Sequence, residues 1–284
     1  MRIERIISMR LVGYIFISGR YWNMFLTAVS VWIGYYYGSG FFWDKQALYA
    51  AVSAAFICGG GNIINDYCGV ESDRVNKPHR PYASGKISGI NMIISGILFW
   101  GIGFSMSFLI NKSAVIIASI VVISLILYNF LLKEIMLTGN ILVGLLSGLS
   151  FIYGSAAGDS VFAAFFPALF SFLFILAREI LKDIEDYEGD AAADIVTFPV
   201  KYGKNAAIIL SVAIFLVLIV FSIIPYLFFF FSFWYLVIVL CGTDLVIAGL
   251  LIKFLLNPHN ANLRKTNSRL KIGILFGMIA LIVK

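Results

Sequence analysis

The chain reads as an all-α, polytopic membrane helical bundle of about nine transmembrane helices. Three observations predict this. Of its 284 residues, 61% are hydrophobic and only 13% charged, well below the roughly one quarter charged that soluble domains carry. The uncharged stretches are about as long as a helix needs to cross a hydrocarbon core, about 20 residues. They also lack the short-period alternation of membrane strands. A soluble globular domain and a disordered chain are thereby excluded. A disulfide-stapled secreted fold is excluded too, since the cysteines are only Cys58, Cys68 and Cys241 and none has a metal or disulfide spacing. They read as buried apolar residues.

The elements follow in order. Ile3, Ile6, Ile7, Leu11 and Tyr14 recur at helical spacing with Arg2, Arg5 and Arg10 between them. This predicts a helix over 1–17 lying on the membrane interface. Residues 1–17 are too charged for a cleavable signal peptide. Spans are expected near 21–41, 46–67, 88–110, 113–132, 135–157 and 160–182. The 39-residue run 205–243 is too long for one crossing. Pro225 lies in its middle and lacks an N–H, so spans are expected near 205–224 and 227–252. A ninth is expected near 268–284. The whole chain, 1–284, is read as a single transmembrane domain.

The basic residues orient the bundle. Arg2, Arg5, Arg10, Arg20, Arg74, Lys77, Arg80, Lys86, Lys133, Arg178, Lys182, Lys201, Lys204, Lys253, Arg264, Lys265, Arg269 and Lys271 fall on one side, against Lys45, Lys112 and Lys284 on the other. The positive-inside rule makes the first side cytoplasmic, in the cell membrane. The net charge of +6 is therefore a topology signal. No nucleic-acid partner is implied, because the basic residues line the edges of membrane helices.

Acidic residues in such a chain mark function by default, and most of them lie in two cytoplasmic segments. In the first, residues 61–85, Asn62, Asp66 and Asp73 fall near about 0°, 40° and 20° around a helix, one narrow stripe. Pro78 and Pro81 then end it, with Lys77 and Arg80 alongside. In the second, residues 177–204, Asp183, Asp186 and Asp190 share a face with Glu179 one turn earlier. Gly189 is expected to loosen the helix, and Arg178 and Lys182 lie close by. Each segment is an even-numbered helix entering the cytoplasm with an acidic stripe and a Pro-containing basic loop, a loose echo of two related halves.

Bare carboxylate stripes repel one another, and a divalent cation relieves this. Mg²⁺ takes oxygen ligands, typically one or two carboxylates plus substrate phosphates, and nearby Lys and Arg take the remaining phosphate charge. A diphosphate on a hydrocarbon tail suits this arrangement, with its head at the membrane edge and its tail among the helices.

These residues resemble the UbiA superfamily of intramembrane prenyltransferases, which has nine helices and two Asp-rich motifs. Asn65-Asp66 through Asp73 resembles the family's NDxxDxxxD, with Asn62 one turn earlier, and Asp186 through Asp190, preceded by Asp183, resembles its DxxxD. Arg20-x-x-Asn23 is similar to RPxN. Tyr128 to Lys133, Gly139-Asn140, Thr197-x-Pro199 and Gly203 extend the likeness over most of the chain. Two positions depart: Gly69 stands at the middle Asp of the first motif, and Tyr21 replaces the Pro of RPxN.

The resemblance implies two Mg²⁺ ions held by Asn62, Asp66, Asp73, Asp183, Asp186 and Asp190, with a prenyl diphosphate donor. It implies that Lys133, Arg178 and Lys182 neutralise the leaving diphosphate and that the Tyr128 ring stabilises the allylic cation. Asn23, Asn62 and Arg20 are implied contacts to metal or head group. A hydrophobic acceptor then attacks C1, inside a bundle that excludes water. Residues 178–190 most resemble the branch that prenylates geranylgeranylglyceryl phosphate with geranylgeranyl diphosphate, making an ether lipid. Aromatic, quinone-precursor and chlorophyllide prenyltransferases share much of the pattern. From other classes, a UbiA-like terpene cyclase and an ion-coupled transporter remain as alternatives. A transporter wants acids near the bilayer midplane, whereas these lie at one edge.

Other features have plainer readings. Asp244 is expected to hydrogen-bond a neighbouring helix. His79 and His259 are expected at the surface, and Gly144 and Gly148 at close helix contacts. Phe228–Phe231 are expected to face lipid or line a tail site.

Overall fold

The computed structural model describes residues 2–133, 135–256 and 260–283, with the side chains of all of these except 2–8, 254–255, 260–262 and 264. Among them every regular element is helical, as the composition predicts. The chain forms two compact units: residues 1–134, 150–164 and 191–194, and residues 135–149, 165–190 and 195–284.

The first unit begins with α1 (Arg2–Ser18) and α2 (Tyr21–Ser39), followed by α3 (Lys45–Cys68) and the short α4 (Val70–Asn76). Then come α5 (Gly89–Ser107) and α6 (Lys112–Leu127), which runs into a π-turn, Tyr128–Leu132. The last residues of α7 (Thr138–Ala157) complete it. Caps set several of the starts. Asp44, Ser88 and Asn111 each accept a backbone N–H from the first turn that follows, satisfying a donor the helix cannot.

Helix α3 packs on α2 and α5. Lipid tails supply no hydrophobic drive between helices, so close packing and polar contacts take over. A side chain at Gly34 would overlap the Phe151 carbonyl, and one at Gly154 the Val31 carbonyl. Buried Ser53 donates to the Gly103 carbonyl at 2.6 Å and pairs with the Tyr153 hydroxyl at 2.8 Å, a contact of a kind worth about 0.6 kcal/mol.

The second unit holds the start of α7, then α8 (Phe165–Glu185), most of α9 (Tyr187–Ala192) and α10 (Phe198–Tyr202). It continues with α11 (Lys204–Leu227), α12 (Phe233–Ile238), a π-turn at Val239–Asp244, α13 (Leu245–Leu256) and α14 (Asn260–Ile282). Its core joins Phe174, Ile180, Leu181, Phe215, Ile247 and Leu270, with Phe174 edge-on to Phe215 at 5.5 Å. Gly144 and Gly148 do mark close helix contact: a side chain at either would press on Phe172 or Ala168 of α8. Asp244 accepts from Ser222 Oγ of α11 at 2.8 Å, the interhelical bond expected of it.

Six helices among the described residues are long and apolar enough to cross a membrane: Lys45–Cys68, Gly89–Ser107, Lys112–Leu132, Thr138–Ala157, Lys204–Leu227 and Phe233–Lys253. The chain is an integral membrane protein. Of the other expected crossings, α8 and α14 carry charged turns at one end and α2 is rich in Tyr.

Several boundaries differ from the sequence reading. The run 205–243 is divided near Pro225 as expected, into the spans Lys204–Leu227 and Phe233–Lys253. Pro225 itself lies in the last turn of α11, which continues to Leu227, so the break falls just after it. The freed Pro225 carbonyl accepts from Phe230 and Phe231 N–H in the turn beyond. The last helix starts at Asn260, earlier than expected. Phe228, Phe229 and Phe230 are exposed while Phe231 is buried on Tyr235. Cys241 is exposed rather than buried, and no cysteine is in a disulfide. His79 is exposed. The readings that rest on Ile3, Ile6, Ile7, Arg2, Arg5, His259 and Lys284 lie outside the described side chains.

Candidate active site

The first acidic segment is built on the end of α3. Asp66 and Asp73 are both buried. The helix ends at Cys68, yet Gly69 N–H bonds to Asn65 O and Asp73 N–H to Gly69 O, so the helical ladder carries across the joint. The stripe therefore survives the break.

Two arginines close on it. Arg20 lies between α1 and α2 with φ 54°, a left-handed backbone costly for a residue with a Cβ. From there its guanidinium reaches Asp66 Oδ1 at 2.9 Å and Asn65 Oδ1 at 3.3 Å. Arg80, in the turn between Pro78 and Pro81, donates from one nitrogen to Asp66 Oδ1 at 2.9 Å and Asp73 Oδ2 at 2.6 Å. Both carboxylates thus lie within reach of one cationic group. Asn62 is turned elsewhere: its amide donates to the Gly19 carbonyl at 3.1 Å. Asn23 stands in the first turn of α2, where its N–H bonds to Arg20 O.

Tyr128 opens the π-turn, and Lys133 follows it, its N–H bonding back to Tyr128 O. Asn129, buried within the turn, accepts from Asn65 Nδ2 at 3.2 Å and donates to Leu125 O at 2.8 Å. This ties the turn to α3.

The second segment is organised differently. Helix α8 stops at Glu185 and α9 starts at Tyr187, so the interruption falls at Asp186 and not at Gly189, which is buried within α9. Asp186 N–H still bonds to Lys182 O and Asp190 N–H to Asp186 O. Asp190 is buried. Asp183 Oδ2 accepts from Asn140 Nδ2 at 2.8 Å. Glu179 takes both local cations, Lys182 at 2.6 Å and Arg178 at 3.2 Å. Arg178 Nε is buried without a protein partner, a donor left over for an anion. Gly203, with φ 88°, turns the chain from α10 into α11.

The described residues include no group of three or more His, Cys, Asp or Glu closed on a metal. What they offer is paired hard oxygens with cations beside them. That set fits Mg²⁺, which takes one or two carboxylates and completes its shell with substrate phosphate and water.

A model of the UbiA prenyltransferase family matches residues 23–276. The chain belongs to this family. It is an enzyme, a prenyltransferase. Digeranylgeranylglyceryl phosphate synthase of Methanopyrus kandleri is 36% identical over 237 residues, which cover 84% of this chain and 86% of that protein. A structure described as giving insights into digeranylgeranylglyceryl phosphate synthase in membranes matches at TM-score 0.75 and 32% identity, over 96% of this chain and 98% of that one. A UbiA homolog from Archaeoglobus fulgidus, bound to DMAPP and Mg²⁺, shares the fold at TM-score 0.61 and 17% identity, over 95% and 99%.

Within this UbiA chain the sequence reading named Asp66, Asp73 and Arg20, and the structure brings them together. Arg80 stands in that reading only as alongside the stripe, and Asn65 and Asn140 only as part of the resemblance, with no contact assigned to any of them. Arg80 lies 14 residues from Asp66, beyond helical periodicity, and only the rigid Pro-flanked turn hinted at a fixed position. Asn129 lies within the Tyr128 to Lys133 stretch of the resemblance, but nothing in its spacing points to Asn65.

Proposed function

We propose that the chain carries out Mg²⁺-dependent transfer of a geranylgeranyl group from its diphosphate to geranylgeranylglyceryl phosphate, forming an ether lipid. The acceptor rests on one observation: the 36%-identical Methanopyrus kandleri relative is named digeranylgeranylglyceryl phosphate synthase. The chemistry rests on Asp66 and Asp73 held within reach of a single guanidinium nitrogen.

In this reading Asp66 and Asp73 form one set of metal ligands, with Asn62 beside them, and Asp183, Asp186 and Asp190 form a second; two ions are expected. Bound Mg²⁺ would supply Lewis-acid polarisation of the diphosphate and fix its orientation. The protein's own residues do the rest. Lys133, Arg178 and Lys182 take the charge of the leaving diphosphate as the C1–O bond breaks. The Tyr128 ring faces the allylic cation. Arg20 and Asn23 orient the head group. Apolar helices hold the tail and exclude water, so the acceptor hydroxyl reaches C1 first. The whole chain is read as a single domain of nine crossings with its acidic face in the cytoplasm.

An acceptor panel tests this. Purified protein is offered geranylgeranyl diphosphate with Mg²⁺ and either geranylgeranylglyceryl phosphate, a 4-hydroxybenzoate-type acid or a chlorophyllide. The expected product is the ether-lipid adduct. Turnover of only one of the latter two would overturn the acceptor, and a cyclised hydrocarbon would make the protein a cyclase. No diphosphate release with any of the three acceptors would overturn this reading of donor and acceptor.

A further inference from the structure

Gly69 is the one position where the first acidic motif departs from the family pattern, and its surroundings give the departure a physical meaning. Helix α3 carries Asn65, and Gly69, four residues on, caps its end. The π-turn after α6 carries Asn129, and Lys133, four residues on, caps that turn. The Asn65–Asn129 bond of 3.2 Å, backed by Asn129 to Leu125 O at 2.8 Å, holds these two stretches in register. At the next step along both, the Lys133 ammonium lies against the Gly69 backbone. A Cβ at residue 69 would overlap Lys133 Nζ and sit 3.1 Å from the Asn65 carbonyl oxygen.

Glycine is not required there by backbone conformation. Residue 69 has φ −101° and ψ 18°, which any L-residue can adopt. The missing side chain is what matters, because its space is filled by the ammonium. The location also suits a cation. The end of α3 carries the negative end of the helix dipole, and a Lys ammonium is a compact point charge that binds phosphate well. Asp66 precedes this point on α3 and Asp73 follows it, bonded through its N–H to Gly69 O at 3.0 Å.

We propose that Gly69 is a positioning residue for Lys133: by lacking a side chain it seats the ammonium on the backbone at the joint between α3 and α4, on the stretch that carries Asp66 and Asp73, where a fixed protein cation meets the diphosphate. A positive charge then stands where the family motif places a third carboxylate. The inference rests on the diphosphate reading above.

The test uses the full chain in lipid nanodiscs, with inorganic pyrophosphate as probe. Four proteins are compared: wild type, Gly69→Ala, Lys133→Met and the double variant. Calorimetry gives pyrophosphate affinity with Mg²⁺ present, thermal unfolding gives stability, and initial rates give KM and kcat for the prenyl diphosphate. Gly69→Ala is expected to unfold at the wild-type midpoint, because Nζ is the end of a flexible side chain and moves aside easily. Its pyrophosphate affinity is expected to fall about tenfold, the size of one charge-assisted contact, with KM rising in step. Lys133→Met should lose at least as much, and adding Gly69→Ala to it should change nothing further.

Wild-type affinity in Gly69→Ala would overturn the proposal. So would a Gly69→Ala effect that persists in full in the Lys133→Met background, since the glycine would then act without the lysine. Should Gly69→Ala lower the unfolding midpoint, Lys133→Arg carries the test: a broad guanidinium cannot lie flush on the Gly69 backbone, so affinity must drop although the charge is kept. Undiminished affinity there overturns the proposal as well. If the wild-type chain binds no pyrophosphate and turns over no prenyl diphosphate, the functional reading fails and takes this inference with it. Wild-type turnover with a silent Gly69→Ala removes this inference alone.

Discussion

The two acidic segments look alike on a helical wheel but neutralise their charge in different ways. Around α3 the counter-charges come from distant sequence: Arg20 lies 46 residues from Asp66, and Arg80 reaches Asp66 and Asp73 across 14 and 7 residues. At the end of α8 the two cations on Glu179 are local. Arg178 is the sequence neighbour of Glu179, and Lys182 lies one turn away. A local pair exists in the isolated helix and adds little to tertiary stability, whereas a long-range pair locks separate stretches of chain together. The first segment is therefore a clamp that depends on packing, and the second is a helix end that carries its own counter-ions. In the second, one link beyond the helix is the neutral amide of Asn140 on Asp183.

Graded substitutions can break or sharpen this contrast. The largest effect is expected where the two segments should agree. Asp66→Asn and Asp190→Asn should each lower Mg²⁺-dependent prenyl transfer about a thousandfold, the scale of several kcal/mol of metal-assisted stabilisation. Product formation measured by mass spectrometry checks this; full activity in either variant would remove its segment from the chemistry. Next comes Arg80→Gln, which leaves Asp66 and Asp73 without their shared partner. It should cost about 2–3 kcal/mol in thermal unfolding, because charged groups buried against the clamp lose a charge-assisted bond.

Asn140→Ala should cost about 1–2 kcal/mol by the same assay, since Asp183 loses a neutral donor. Glu179→Gln should cost about 1 kcal/mol, since its largely buried carboxylate loses its charge but keeps an oxygen that Lys182 and Arg178 can still reach. Equal shifts for Arg80→Gln and Glu179→Gln would erase the distinction between clamp and helix end.

Much of the site could be read from residue order because it obeys helical periodicity. Asp66 and Asp73 come onto one buried face even though α3 ends between them, because the hydrogen-bond ladder passes through Gly69. Asp186 and Asp190 follow the same logic across a break. Asn62 fits the stripe by angle, and its Nδ2 donates to the Gly19 carbonyl, a partner that periodicity does not show. Pro225 does mark the division of its run, with the helix ending two residues beyond it at Leu227.

The amino-acid sequence by itself determined that this is an all-helical membrane protein, roughly where most of its helices run, and which helix ends carry acidic stripes. These follow from composition and from spacings within one or two turns, which any folded arrangement must respect. Only the tertiary structure decided which cations meet those stripes. The reach of Arg20 from a left-handed turn, the bridging of Asp66 and Asp73 by Arg80, and the Lys133 ammonium lying on Gly69 all join residues far apart in the chain. Such contacts depend on how helices pack and where loops return, and no local pattern encodes them.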